Sequence, residues 1–175
     1  MCGMSSIDPA YAPPPGLDPF RSGLLTVVHE THMDMVALIQ GLPIEALKWM
    51  PVPKAPHVSG IALHILEVED YLAAVAAGAD LEWDRPLGAS NDYVYPAGEV
   101  VRRIGETDAR LKRAIEQVTP ERLARLQPGQ ERTIGEMLVE DLAHSSMHLG
   151  HIQLTRQLCE LTLLSLQFPP YEPWA

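Results

Sequence analysis

Cysteine is nearly absent: Cys2 and Cys159 are the only two in 175 residues. That excludes a disulfide scaffold, their spacing fits no structural zinc cluster, and reduced thiols in a cytoplasmic protein are the expectation. Basic residues are also few, with 13 Lys and Arg against 23 Asp and Glu and a formal net charge of -10. Such a field repels a phosphate backbone and an anionic bilayer, and no basic run offsets it locally, so neither nucleic acid nor a membrane surface is an expected partner. No window holds 18 uncharged apolar residues. The segment before Pro13-Pro14-Pro15 has neither a basic stretch nor an apolar core, so a membrane span and an export leader are not expected either.

What the chain does contain is a globular balance of 46% apolar and 21% charged residues, at a length suited to one domain. Its 16 prolines divide it. They cluster so that the windows 20–42, 57–85, 97–119 and 129–168 are free of proline, and each is long enough for a helix. The expected fold is therefore all-α: a four-helix bundle with a short additional helix or turn over residues 20–168, a proline-rich arm over 1–19 and a tail over 169–175.

Periodicity fills in the windows. Leu24, Val28, Thr31, Met35 and Leu38 share one face of the first helix, with His32 beside that stripe and His29 turned further toward solvent. His32 either lines a pocket or is a flank histidine with a local hydrogen-bond partner. In the second window Ile61, Ile65, Val68, Leu72 and Val75 form the central stripe, His64 and Tyr71 share one flank, and Ser59 is the candidate N-cap. Gly78 is the expected stop. Residues 79–96, with Trp83, Tyr93 and Tyr95, read as a loop that either closes a pocket or packs as a connection. Thr133-Ile134-Gly135-Glu136 has the pattern of a capping box opening a last helix that should run to about 166.

That last helix carries the chemistry. In Asp141-Leu142-Ala143-His144-Ser145-Ser146-Met147-His148-Leu149-Gly150-His151, His144 and His148 stand one turn apart on one face and can converge on a divalent metal. The pattern is not the His-Glu-x-x-His of zinc hydrolases, and a third ligand must come from elsewhere. His64 is the strongest distant candidate. Three neutral imidazoles would suit zinc, nickel or iron and leave positions open for water or a thiolate; the alternative is a set of satisfied buried histidines without metal. Asp141 can orient an imidazole, bind the metal or be structural, and Glu67 has a similar choice with a direction that leans away. His151 can bind substrate, accept a proton or hydrogen-bond across the bundle.

The pieces Trp49-Met50-Pro51-Val52-Pro53, Ser59 to Glu69, and His144-Ser145-Ser146-Met147-His148-Leu149-Gly150-His151-Ile152 together resemble the DinB-like, damage-inducible superfamily and its thiol-dependent transferase relatives over about residues 20–166. The resemblance implies a four-helix bundle whose divalent-metal ligands are His64, His144 and His148. The family's basic residue, glycine and glutamine after the second histidine become Leu149-Gly150-His151, so His151 takes the glutamine-like place and is not automatically a fourth ligand. It further implies nickel or zinc, with iron or manganese as the other choices, and a bacillithiol or mycothiol cosubstrate that attacks a small electrophilic substrate. Asp141 and His151 are then the candidate catalytic groups, His32 and Tyr71 the candidate cofactor-binding ones, and a homodimer the expected assembly. The competing readings are a non-catalytic metal-containing stress or ligand-binding bundle and a metal-dependent hydrolase.

Overall fold

Asp18 opens the first helix, α1 (Pro19–Ile39), by accepting the Arg21 amide at 3.0 Å on its carboxylate. Pro19 is the first helical residue, where its fixed φ fits and its missing N–H costs nothing. The computed structural model describes residues 7–81 and 92–163. Gly41, at φ +77°, supplies the left-handed residue that turns the chain into the short helix α2 (Ile44–Leu47). Then come α3 (Val58–Ala76), α4 (Ala97–Gln117), the short α5 (Pro120–Leu123) and α6 (Ile134–Thr162). No strand forms among the described residues, and the fold is all-α, as the proline pattern predicts.

The four long helices pack in a ring, α1 on α4, α4 on α3, α3 on α6 and α6 on α1. Two apolar clusters fill it. One gathers Met35, Ile39, Ile61, Ile65, Ile104 and Ile152; the other gathers Leu25, Val28, Leu72, Leu111, Ile115 and Leu138. The segment ahead of α1 lies along the bundle: Ile7 is buried in the first cluster, and Tyr11 and Leu17 pack against the second. Trp49 is half-buried against the first cluster, as a packing tryptophan should be.

Local chemistry sets the helix ends. The expected capping box is present: Thr133 Oγ1 accepts the Glu136 amide at 3.3 Å, and Glu136 Oε2 accepts the Thr133 amide at 2.8 Å. The cap of α3 differs from the expectation. His57 holds that place, with Nδ1 accepting the Gly60 amide at 2.9 Å, while Ser59 is buried inside the first turn and its hydroxyl accepts the Tyr95 amide. The helix opens just after Pro56, so position 59 already lies in its first turn and cannot be the cap. Gly78, at φ +117°, follows the end of α3 as expected.

One expectation about a helix face is corrected. His29 does not turn to solvent; it is buried, with Lys112 Nζ 3.0 Å from its Nδ1. On α6 the large apolar residues Met147, Leu154, Leu158 and Leu161 face outward, and the inward face is Leu138, Asp141, Ser145, Ile152, Thr155 and Arg156. α6 ends at Thr162 rather than near 166, closed by the Leu163 amide on the Cys159 carbonyl at 2.7 Å. Cys2, Trp83 and the tail 169–175 lie outside the described residues. Among the described residues no helix is long and apolar enough to cross a membrane.

Candidate metal centre

α3 and α6 run side by side, and where they meet, His64 from α3 faces His144 and His148 from α6. The two α6 histidines are four positions apart, so both project from one face, with ring centroids 4.5 Å apart. The His64 ring sits 5.0 Å from each of them. One ligand atom from each residue can be chosen so that all lie within 4.8 Å of one another, an arrangement that could hold a metal ion. Nε2 of His64 and Nε2 of His144 are 3.1 Å apart. Two nitrogens at ~2.0–2.1 Å from one tetrahedral zinc stand roughly 3.3–3.4 Å apart, so this spacing needs only a small expansion to accept an ion.

His64 and His148 are tuned toward the neutral form that ligates. Burial pushes His148 down to about 4, with further depression from His144, His64 and His151. Burial lowers His64 as well, reinforced by His144. At neutral pH both offer a lone pair without first losing a proton.

The outer nitrogens have partners or need one. Nδ1 of His148 is 3.3 Å from Nδ1 of His151, which is exposed. Nδ1 of His144 is 3.5 Å from Oδ1 of Asp141, and both atoms are buried with no hydrogen-bond partner. Burial lifts the Asp141 carboxyl to about 6, and the nearby Glu69 adds to the rise while His144 opposes it. An orphaned carboxylate oxygen beside an orphaned imidazole nitrogen is what a ligating histidine leaves when its inner nitrogen is aimed at an ion; the pair then closes as an N–H···O bond that fixes the tautomer.

A cavity of about 310 Å³ opens directly on this cluster. His64, His144 and Asp141 form one side, Val68, Tyr71, Leu72 and Met137 give it apolar walls, and Gln130, Arg132 and Glu140 edge it, the last two as an ion pair. Tyr71 thus lines the cavity, and its hydroxyl donates to the Leu81 carbonyl at 3.3 Å. His32 does not line it. That ring is fully buried in the centre of the bundle, with Nε2 2.7 Å from Glu69 and Nδ1 2.9 Å from Asp108. His151 stands outside the cavity beside His148, and Glu67 lies in a separate charged groove with Asp70 and Arg103.

Glu69, Asp108, Lys112, Ser145 and Arg132 carry polar contacts that the sequence reading did not single out. A signal for two of them exists. Glu69 falls four residues after Ile65 and three before Leu72, and Asp108 four after Ile104 and three before Leu111, so both carboxylates sit within apolar stripes.

The family model described as the DinB superfamily matches residues 28–152, more than two thirds of the chain and a span that includes all three clustered histidines. The chain belongs to that superfamily. No curated protein matches it significantly.

Proposed function

We propose that this member of the DinB superfamily holds a divalent metal, nickel or zinc ahead of iron or manganese, on His64, His144 and His148, and uses it to transfer or conjugate a low-molecular-weight thiol such as bacillithiol or mycothiol to a small electrophilic organic substrate. The observation that carries this reading is the juxtaposition of three convergent imidazoles with an apolar cavity that opens on two of them. Three protein ligands leave coordination positions free, which distinguishes a working site from a closed structural one. Bound there, the ion would lower the cost of converting a thiol to a thiolate at neutral pH.

The remaining roles fall to the chain itself. Asp141 orients His144 through Nδ1, and His151 does the same for His148 from the solvent side; in this reading neither is a ligand. Val68, Leu72 and Met137 exclude water from the body of the substrate, and the Tyr71 ring closes one wall. The cavity can enclose a small molecule, and bringing thiol and electrophile together there supplies the orientation that a second-order reaction lacks. A hydrolytic reading has one observation in its favour, the carboxylates of Asp141 and Glu140 on the cavity lining, within reach of a water in the same space. We place the homodimer contact on the outward row Met147, Leu154 and Leu158 of α6, which sedimentation of the parent and a Leu154→Glu variant would check.

Pairing candidate thiols with electrophiles and following thiol loss together with adduct formation tests the reaction. Metal-dependent adduct supports the transferase. Product formed without thiol indicates the hydrolase, and tight thiol binding without turnover indicates a binding bundle.

A further inference from the structure

The centre of the bundle is not apolar. At one level, each of the four long helices contributes a polar side chain: His32 from α1, Glu69 from α3, Asp108 and Lys112 from α4, and Ser145 from α6. His32 is flanked by a carboxylate on each ring nitrogen, at 2.7 Å to Glu69 and 2.9 Å to Asp108, with no access to water. Facing two ionised carboxylates, both nitrogens can bond only as N–H donors, an arrangement that calls for an imidazolium. Lys112 Nζ, 2.9 Å from Asp108, completes the neutralisation on the α4 side. On the α6 side the second oxygen of Glu69 accepts the Ser145 hydroxyl at 3.4 Å.

That last contact lies next to the three histidines. Ser145 directly follows His144, and Glu69 lies five residues after His64, so the Glu69–Ser145 contact ties α3 to α6 less than two turns from the His64–His144 pair. Fully buried apolar residues are sparse on α6 there: between Leu138 and Ile152 the fully buried residues are Asp141 and Ser145, while Leu142 and Leu149 pack against the two clusters only in part. Apolar contact is non-directional, whereas the Ser145 hydroxyl must face a carboxylate that is fixed on its far side, so this contact, long as it is at 3.4 Å, adds a directional constraint between the two helices. A buried ion cluster is also a poor way to gain stability, since a well-packed apolar replacement often does as well, and such clusters are best explained by the arrangement they specify.

We infer that His32 is a positioning residue for the histidine centre: clamped between Glu69 and Asp108, it holds Glu69 against Ser145 and so sets the register of α3 and α6 on which the convergence of His64 with His144 and His148 depends. The inference rests on the metal-binding reading for its purpose, though its geometric content concerns the rings themselves.

The test titrates cobalt(II) into the untagged parent, Ser145→Ala, His32→Gln and Leu47→Ala, the last a core truncation on α2 chosen to lower stability without touching the network. Circular dichroism checks helix content, and long-range nitrogen–proton spectra of the metal-free proteins report the ring state of His64, His144 and His148. The expected result is about a tenfold loss of cobalt affinity and an altered visible spectrum in Ser145→Ala and His32→Gln, with Leu47→Ala like the parent, the low end of the ~10–100-fold that removing a direct partner of a metal ligand costs. Unchanged affinity and spectrum in both network variants overturns the inference while leaving the metal reading intact. A parent that binds no cobalt defeats the metal reading alone; the ring signals of the metal-free proteins then decide, with a shift of His64 and His144 in Ser145→Ala but not in Leu47→Ala supporting the inference and unshifted rings overturning it. Should His32→Gln not fold, Ser145→Ala carries the same outcomes.

Discussion

Raising the pH should unfasten the centre of this bundle well before the surface charges matter. Burial opposes the charge on His32, but the charge of Glu69 and the hydrogen bonds of both carboxylates outweigh it and lift the ring from an ordinary 6.5 to about 10. A raised folded-state value means that the folded chain holds this proton more tightly than the unfolded chain. The contribution is therefore complete below pH 6.5 and is lost as pH rises toward 10. Each tenfold difference in proton affinity is worth about 1.4 kcal/mol, so the window from 6.5 to 10 spans roughly 4–5 kcal/mol, comparable to the whole stability of a marginal domain. Urea unfolding followed by circular dichroism at pH 6.5, 7.5, 8.5 and 9.5 measures it. Work above pH 10 is avoided because Tyr11, pushed up to about 12 by burial and by Glu116, begins to contribute there with the same sign. The parent should lose most of that free energy across the series, while His32→Gln, already weaker by about 3–5 kcal/mol at neutral pH from the two carboxylates left buried, should show a much flatter profile. Parallel profiles for parent and variant would place the proton elsewhere than on His32.

Other outcomes follow from the same structure. Thr133→Ala removes one half of the capping box and should cost about 1 kcal/mol in urea unfolding, with metal content unchanged. Met137→Trp fills the cavity beside the histidines and should abolish substrate turnover while isothermal titration still finds a normal metal site. Toward acid the sign reverses: His148 is held down to about 4, so its contribution to stability is present above 6.5 and is lost as pH falls through 4, and bound metal measured by dialysis should be retained near pH 6 and released near pH 4.

The helices were legible because proline is a local veto: a residue without an amide proton marks a connection whatever the tertiary context, and Pro43, Pro56, Pro96 and Pro120 all fall between helices or at their first turns. His144 and His148 were legible for a similar reason, since a four-residue spacing on a helix is a statement about geometry. His64 needed the resemblance as well, because nothing local says which helices are neighbours. The faces of α6 were not legible. Apolar type alone does not say which way Leu154, Leu158 and Leu161 point: the ring of neighbours leaves them outward and buries Asp141, Ser145 and Arg156, the last reaching the Leu38 carbonyl of α1 at 2.9 Å. The network around His32 was hidden for the same reason: Glu69 and Asp108 are 37 and 76 residues from their partner, and a carboxylate within an apolar stripe signals burial without naming what it meets.

Metal content is the direct readout of the three-histidine site. Protein purified without a metal-affinity tag, then assayed by plasma mass spectrometry beside His64→Ala, His144→Ala and His148→Ala, should carry about one divalent ion per chain in the parent and lose it in each folded variant. Metal that stays bound in all three variants, or a parent that takes up no zinc, nickel, iron or manganese when each is supplied, would contradict the three-histidine site.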